Sequence, residues 1–254
     1  MITLKSEQEL SYLGAAGRIV ADVLAELREV IITNPGITTQ ELDRLAESLI
    51  VRQGAKPAFK GYRGFPCSLC TSVNEQVVHG IPGDYKLQLG DIISLDLGVK
   101  LNGYYGDAAI TVAVGKISGE VNKLLEVTED ALYKGIRQAK VGNKLSDISY
   151  TIQSHVEKKG FSVVRALVGH GIGRHLHEEP PIPNFGKPHQ GPKLKRGMTL
   201  AIEPMVNMGS FEVRTTKDDW TVVTKDGKPS AHFEHTIAIR RNKPEILTLT
   251  KGKR

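Results

Sequence analysis

The segment IISLDLGVKLNGYYGDAAITVAV, residues 92–114, contains the clearest folding signal of the chain. Its central Asn102-Gly103 dipeptide is typical of a two-residue turn between antiparallel strands. On both sides of that turn, apolar residues alternate with small or polar ones, which is the pattern of strands that bury one face. We therefore predict a β-hairpin with strands at residues 92–99 and 104–114.

The polar face of this hairpin carries two carboxylates. A two-residue loop places Asp107 directly opposite Gly98. Asp96 then becomes the diagonal neighbour of Asp107 on the same face, at a separation of roughly 7–8 Å. Because the other residues of that face, such as Ala109 and Thr111, are small, we expect both carboxylates to converge on one ligand.

Two further acids occur in strand-like segments of the second half of the chain. Residues 199–206 and 230–239 both alternate in the manner of strands. Glu203 falls on the face of small residues in the first strand, and Glu234 falls on the corresponding face of the second. The hydrophilic stretch around residues 217–228 is interpreted as an insertion in this second hairpin.

Helical patterns precede both sets of strands. Apolar residues recur at helical spacing in residues 7–32 and 120–139, and each of these is followed by a second helical segment bracketed by glycines, at 36–54 and 142–160. In the first of the bracketed segments, Thr38-x-x-Glu41 is typical of a capping box.

These repeats predict the fold class and the domain organisation. A chain of 254 residues, 40% of them hydrophobic, can bury a substantial core. We expect an α/β (α+β) fold with a pseudo-two-fold axis, in which an antiparallel sheet core has two helix pairs outside it. The chain would be a single catalytic domain made of two related halves, about 1–115 and 116–254.

The four acids predict a metal centre. A carboxylate inside a sheet core is unfavourable unless it is paired, protonated or bound to metal. Asp96, Asp107, Glu203 and Glu234 cannot neutralise one another, and four negative charges match two divalent ions. His170, which lies between two glycines, adds an imidazole. Oxygen ligands with a single nitrogen favour manganese, iron or cobalt and tolerate zinc, and two such ions suit the hydrolysis of an amide bond.

Five motifs then occur in an order and spacing that resemble the type I methionine aminopeptidases. They are SVNEQVVHGIP, SLDLG followed by GYYGDAA, GHGIGRHLHEEP, TLAIEPMV and AHFEHTIAI, and they extend over nearly the whole chain. The resemblance implies the pita-bread fold and the removal of initiator methionine from nascent proteins when the second residue is small. The spacings between His170, Glu203 and Glu234 leave no room for the helical insertion of type II enzymes.

The resemblance also implies the role of each site residue. The metal ligands would be Asp96, Asp107, His170, Glu203 and Glu234, with Asp107 and Glu234 shared between the two ions. Glu203 would in addition act as general base and acid. His79 and His177 would contact the substrate near its scissile amide and carbonyl group.

The resemblance further implies a methionine pocket and a second cation. The pocket would be lined by Tyr62, Phe65, Cys70 and Trp220. Phe59 at the pocket edge and Leu176, where the family more usually has an aromatic residue, depart from the family pattern and would alter the pocket shape. A monovalent cation would lie near Asn74 and Ser230.

The two cysteines, Cys67 and Cys70, are too few for a disulfide-built secreted fold. As a lone CxxC pair they are a weak signal for a redox site or a structural zinc site. The lining of an apolar pocket suits Cys70 equally well.

Charge and hydropathy bear on location and partners. No apolar run approaches the length of a membrane span, and the charged N-terminal residues lack the apolar stretch of a signal peptide. The net charge is +6, with basic residues gathered at 193–196 and 240–254. These are a solvated surface and tail, or a surface with weak attraction to ribosomal RNA. We expect a cytoplasmic monomer whose partners are nascent N-termini, with a weak ribosome association.

Two alternative functions remain at this stage. A prolidase of the same fold would cleave Xaa-Pro dipeptides, but such enzymes usually carry a large extra N-terminal domain, whereas here the helical pattern begins within the first ten residues. A catalytically inactive relative that binds peptide, nucleic acid or chromatin proteins would be expected to lose metal ligands, and all five are present here.

Overall fold

The computed structural model describes residues 1–250, so the basic residues at 251–254 that the sequence analysis noted lie outside it. The α-helices of the described part are α1 (Glu7–Thr33), α2 (Thr39–Arg52), α3 (Gly119–Gln138) and α4 (Leu145–Lys158). The strands are β1 (Lys56–Pro57), β2 (Cys70–Val73), β3 (Gln76–Val78), β4 (Ile92–Leu101), β5 (Tyr104–Ala113), β6 (Ser162–Val163), β7 (Val168–Gly171), β8 (Glu178–Pro183), β9 (Thr199–Ile202), β10 (Met205–Asn207), β11 (Val213–Thr215), β12 (Val222–Thr224), β13 (Ser230–His232), β14 (His235–Ile239) and β15 (Pro244–Ile246).

All four predicted helices are confirmed. The second helix of each pair, α2 or α4, has 14 residues. The capping box that begins α2 is also confirmed, because the Glu41 amide donates to Thr38 Oγ1 at 3.1 Å and the Thr38 amide donates to Glu41 Oε2 at 2.8 Å. None of the helices within residues 1–250 combines the length and the apolar character that crossing a bilayer requires.

The predicted hairpin is present with the predicted register. β4 and β5 pair antiparallel, and Gly98 lies opposite Asp107. The apolar face of β4, including Leu95 and Leu97, is fully buried in a cluster with residues of α1 and α2. Burying each leucine contributes about 1.5–3 kcal/mol, so this face determines which side of the hairpin the two aspartates occupy.

The sheets are antiparallel and the helices pack outside them, as predicted. β5, β4 and the short strands β1 and β2 form one sheet, and β15, β14, β9, β7 and β8 form the largest sheet, in that order. α1 packs on β4 and β5, and α3 packs on α4. The division of the domain into two related halves near residue 115 stays a prediction.

The interpretation of residues 199–206 and 230–239 as two continuous strands is wrong. Each is broken into two short strands, with Glu203 in the first break and Glu234 in the second. Pro204 has no amide proton to donate to a sheet, and the strands change sheets across the breaks, β9 and β14 lying in the largest sheet and β10 and β13 in a smaller one.

The second break is joined by hydrogen bonds to the sheet that contains β4 and β5. The Glu234 amide donates to the Ala109 carbonyl at 2.8 Å, and the Ala109 amide donates to the Glu234 carbonyl at 3.4 Å. This exchange holds the backbone of Glu234 beside β5, two residues from Asp107. The breaks therefore place acids from separate parts of the chain side by side.

The interpretation of residues 217–228 as a hydrophilic insertion is incomplete. Part of this stretch forms β12, which pairs with β11 on one side and with β3 on the other. Val222 and Val223 are consecutive on that strand and both are buried, so the strand is covered on both faces. The β11–β12 hairpin thus forms a wall beside β3, the strand that ends just before His79.

The contact between α1 and β5 generates a prediction for stability. A Cβ added at Gly106 would lie 2.6 Å from the Gly17 backbone nitrogen, where neither backbone can yield easily. We expect Gly106→Ala to lower the free energy of unfolding by about 1–3 kcal/mol, as measured by urea denaturation. The control is Gly119→Ala, because nothing lies within 4 Å of a Cβ added at that helical residue. Equal stabilities of the two variants would contradict the close helix–sheet contact.

Candidate metal centre

Every residue predicted for the site lines one cavity, whose volume is about 280 Å³. The cavity lies against the middle of the β4–β5 hairpin, on the face that carries Asp96 and Asp107, next to the two strand breaks and to β7. The residues are Tyr62, Phe65, Cys70, His79, Asp96, Asp107, His170, His177, Glu203, Trp220 and Glu234.

The four carboxylates enter this cavity from four different strands or strand breaks. Asp107 and Glu234 are 4% and 2% exposed, so water cannot solvate their charges. Within residues 1–250, buried oxygens of three of these acids, Asp96 Oδ1, Asp107 Oδ1 and Glu234 Oε1, have no hydrogen-bond partner. Such buried, unpartnered acceptors are rare in folded proteins, and they suit the binding of a cation.

Electrostatics supports the same conclusion. Burial raises the pKa of Asp96 to about 7. Burial, followed by the charges of Glu234 and Asp96, raises the pKa of Asp107 well above its ordinary value. Burial and neighbouring acids also raise the pKa values of Glu203 and Glu234. The ionised cluster is therefore unfavourable by itself and needs compensating positive charge.

His170 presents one ring nitrogen to the acids. Its Nδ1 donates to the Gly171 carbonyl at 2.8 Å, which leaves Nε2 with a free lone pair. Nε2 is 3.6 Å from Glu203 Oε1 and 3.9 Å from Asp107 Oδ2. Donor atoms of Asp107, His170 and Glu234 all lie within 4.8 Å of one another.

The glycines that flank His170 are required by close backbone contacts. A Cβ on Gly169 would collide with the Ala201 carbonyl oxygen, and a Cβ on Gly171 would collide with the Glu179 carbonyl oxygen. This segment therefore approaches its neighbours too closely for a side chain on either side of His170.

The residues of the cavity fit divalent cations. Four carboxylates and one neutral imidazole match the charge and the ligand preference of two oxygen-seeking ions. A thiolate site does not fit, because burial, followed by the charge of Asp96, raises the pKa of Cys70 well above its usual range. Cys67 and Cys70 are both free thiols.

Two further imidazoles line the cavity. His177 lies at the exposed mouth, where its Nδ1 is 2.7 Å from the Tyr62 hydroxyl and its ring centroid is 4.3 Å from that of His170. Desolvation, followed by the charges of His170 and Arg63, lowers the pKa of His177 to about 3. Desolvation also lowers the pKa of His79. Both rings are therefore neutral near pH 7.

The predicted pocket residues form an apolar wall beside the acids. The ring of Phe65 meets that of Trp220 edge to face, with centroids 5.2 Å apart. Buried Cys70 lies opposite Asp96 in the pairing of β2 with β4, which places the pocket next to the carboxylates. Phe59 and Leu176 belong to the same apolar cluster.

Some residues in and around the cavity are not predictable in the same way from the sequence. His232 is 1% exposed, and its Nε2 lies 3.8 Å from Glu203 Oε2. Its position two residues before Glu234 on an alternating strand was a usable signal. Leu167 and Met205 line the cavity itself, whereas His232 lies behind Glu203. Leu167 comes from a loop and Met205 from a strand after a break, so alternation alone could not find them.

Asn74 and Ser230 are also brought together. The Ser230 amide donates to the Asn74 carbonyl at 2.9 Å, and Asn74 has a left-handed backbone with φ of 54°. The monovalent cation at this place stays a prediction.

Comparisons with known proteins identify the class. Residues 11–241 match the metallopeptidase family M24, and the chain therefore belongs to that family. Within it, the chain is 59% identical over 251 residues to the methionine aminopeptidase of Clostridium perfringens, covering 99% of this chain and 100% of that protein. The crystal structure of methionine aminopeptidase from Rickettsia prowazekii matches with a TM-score of 0.96 at 43% identity, covering 98% of this chain and 100% of that chain. The predicted resemblance to type I methionine aminopeptidases and their pita-bread fold is confirmed.

The fold is shared more widely. A prolidase from Pyrococcus furiosus matches with a TM-score of 0.76 at 23% identity, covering 98% of this chain and 66% of that chain. At this level of identity, the likeness extends to the fold alone.

The crowded acids generate a prediction about the metal. We expect Asp107→Asn to raise the unfolding free energy of the metal-free protein by about 1–2 kcal/mol, because it removes one buried charge. Saturating Mn²⁺ should stabilise the unsubstituted protein by about 3 kcal/mol when its concentration is 100 times Kd, and the variant by much less. Thermal melts with and without Mn²⁺ measure both effects.

The control is Asp22→Asn, which removes an exposed carboxylate of α1. This variant should respond to Mn²⁺ like the unsubstituted protein. If the metal stabilised Asp107→Asn as much as it stabilises the control, the assignment of Asp107 as a ligand would be wrong.

Proposed function

We propose that this chain hydrolyses the peptide bond after an N-terminal methionine in nascent proteins and peptides, with a preference for a small second residue. The observation that carries the proposal is a single cavity in which an apolar pocket adjoins a cluster of four carboxylates and one imidazole. Relatives named methionine aminopeptidase, 59% identical over the whole chain, support the same activity.

Binding of the methionine side chain is assigned to the apolar wall. Phe65 and Trp220 offer flat aromatic surfaces, and buried Cys70 is a small neutral filler. A thioether makes favourable contacts with aromatic rings, and desolvation in such a pocket favours an unbranched apolar side chain. Tyr62 completes the wall and orients His177 through the hydrogen bond between its hydroxyl and Nδ1.

The two metal ions would be held by Asp96, Asp107, His170, Glu203 and Glu234, with Asp107 and Glu234 shared between them. When bound, the ions would supply an activated water and stabilisation of the negative charge that develops on the carbonyl oxygen. Mn, Fe, Co and Zn all suit this donor set. A monovalent cation near Asn74 and Ser230 would support the loop before His79.

Proton transfers are assigned to this chain's own residues. Glu203 accepts a proton from the attacking water and delivers it to the leaving amine, so that the acyl carbon gains a hydroxyl group and the nitrogen gains a hydrogen. The burial that raises the pKa of Glu203 suits this exchange. Neutral His79 and His177 hydrogen-bond the scissile amide and its carbonyl oxygen.

The size of the cavity supports a small second residue. Its volume of about 280 Å³ lies just below the range for ligand pockets, about 300–1,000 Å³. Once a methionine side chain occupies the apolar part, little enclosed space remains for the next side chain.

The setting of the reaction is also part of the proposal. The chain would act in the cytoplasm as a monomer and as one catalytic domain with two related halves. Basic residues at 193–196 and 240–243 would give weak attraction to ribosomal RNA close to emerging N-termini.

The two alternatives receive less support. A prolidase-type activity is favoured only by a likeness of fold at 23% identity. An inactive binding relative would not need four buried acids in one cavity, because each is unfavourable without a cation.

Mass spectrometry of peptides tests the activity. Met-Gly and Met-Ala peptides incubated with metal-stripped protein and Mn²⁺, Fe²⁺, Co²⁺ or Zn²⁺ should lose methionine with at least one metal, whereas Xaa-Pro dipeptides should remain intact. Cleavage of the dipeptides alone would favour the prolidase alternative. Loss of neither substrate with any metal would overturn the proposal.

The second-residue preference has a separate measurement. Changing the peptide from Met-Ala to Met-Leu should lower kcat/KM by roughly 100-fold, because steric exclusion at the cavity mouth prevents the reacting geometry. Free methionine released from equal concentrations of the two peptides gives the ratio. Equal rates would contradict the size limit.

A further inference from the structure

The chain has a single tryptophan, Trp220, and it lies at the tip of the β11–β12 hairpin. Its ring contacts Phe65 edge to face and lies 6.2 Å from the ring of His79, centroid to centroid. β12 pairs with β3 through Val222 and Val78, so the hairpin adjoins the residue before His79. The position of this tip therefore determines one wall of the cavity.

Asp218, in the turn before Trp220, accepts four hydrogen bonds. Its Oδ1 accepts from the Trp220 amide at 2.9 Å, from the Thr221 amide at 2.8 Å and from the Thr216 hydroxyl at 2.7 Å. Its Oδ2 accepts from the Thr221 hydroxyl at 2.6 Å. Asp218 is exposed and does not line the cavity, whereas Trp220 does. Asp218 can therefore affect the pocket only through its hydrogen bonds to Trp220 and to the neighbouring Thr221.

The turn needs this support. Asp219 has a left-handed backbone with φ of 62°, which aspartate adopts less readily than glycine. The turn is closed by the Thr216 amide, which donates to the Thr221 carbonyl at 2.8 Å. A carboxylate that accepts from its own following amides is a recognised way to stabilise such a turn. Partial burial opposes the charge of Asp218, but the hydrogen bonds from Thr221 and Thr216 outweigh it and lower its pKa to about 2.

We propose that Asp218 is a positioning residue that holds Trp220 as a preformed wall of the methionine pocket and thereby sets the affinity for the N-terminal methionine side chain. The inference rests on the proposed function for the identity of the side chain in the pocket. Whether Asp218 holds Trp220 in place does not depend on that function. A preformed wall lowers the ordering that the substrate must impose when it binds.

Two substitutions separate the hydrogen bonds from general loop structure. Asp218→Ala removes all four acceptor contacts, whereas Asp218→Asn keeps one oxygen that can accept from the two amides. The matched control is Asp226→Ala. Asp226 also caps backbone amides, those of Ser210 at 2.8 Å and Lys228 at 3.2 Å, in the adjoining loop, but it does not contact Trp220.

Tryptophan fluorescence, excited at a wavelength that tyrosine does not absorb, reports on the wall directly, because Trp220 is the single tryptophan. In the metal-loaded protein, Asp218→Ala should increase acrylamide quenching and shift the emission to longer wavelength. Asp218→Asn should behave nearly like the unsubstituted protein, and so should Asp226→Ala.

Steady-state kinetics on a Met-Gly-peptide supplies the second readout. Asp218→Ala should raise KM about tenfold with kcat nearly unchanged, which is the pattern for loss of binding that is equal in ground and transition states. Asp218→Asn should restore most of the affinity. Asp226→Ala should leave both constants unchanged.

The outcomes are distinct. Unchanged quenching in Asp218→Ala, a quenching change without a KM change, or equal effects of Asp226→Ala would each overturn the assignment of Asp218. If the unsubstituted, metal-loaded protein released no methionine, the proposed function would fail. In that case the fluorescence comparison would still decide whether Asp218 holds Trp220.

Discussion

Desolvation of four carboxylates at one place is the constraint on which the rest of this structure depends. A buried carboxylate destabilises the fold unless a cation or a proton compensates it. Asp107 and Glu234 are almost completely buried, and each retains an oxygen without a hydrogen-bond partner within residues 1–250. Ordinary selection for stability would replace such residues. Their presence together with the free Nε2 of His170 is therefore explained by ligand binding rather than by folding.

The sheets carry this unfavourable cluster because their apolar faces are large enough to support it. Leu95 and Leu97 are fully buried on the side of β4 that faces the helices, so the opposite side of the same strand must present Asp96 to the cavity. Hydrogen bonds between Ala109 of β5 and Glu234, in the break between β13 and β14, then fix the hairpin sheet to the strands of the second half. Rigid backbone on both sides keeps the acids close despite their mutual repulsion, which is the preorganisation that a metal centre needs.

The alternation of apolar and polar residues predicts a strand correctly where that strand pairs regularly with its neighbour along its whole length. The register of the 92–114 hairpin follows from its Asn-Gly turn and its period of two, and the four helices follow from apolar spacing and caps. Glu203 and Glu234 were expected to lie beside the two aspartates, and they do, but the strand breaks that contain them were not predicted, because the strands change sheets there. The role of residues 217–228 was likewise underestimated, since the pairing of β12 with β3 joins positions far apart in the sequence.

The acids of the site and the aromatic wall of its pocket are held by different kinds of structure, and these differ in how far a substitution can move them. The proposed metal ligands come from strands and strand breaks inside sheets, where a small displacement would disturb several donors at once. Trp220 comes from a turn held by local hydrogen bonds of an exposed side chain, Asp218. A wall of this second kind can change shape without disturbing the carboxylates. The apolar wall and the carboxylate cluster are therefore held by separate parts of this fold, so that residues such as Phe59 and Leu176 can vary in the wall without moving the acids.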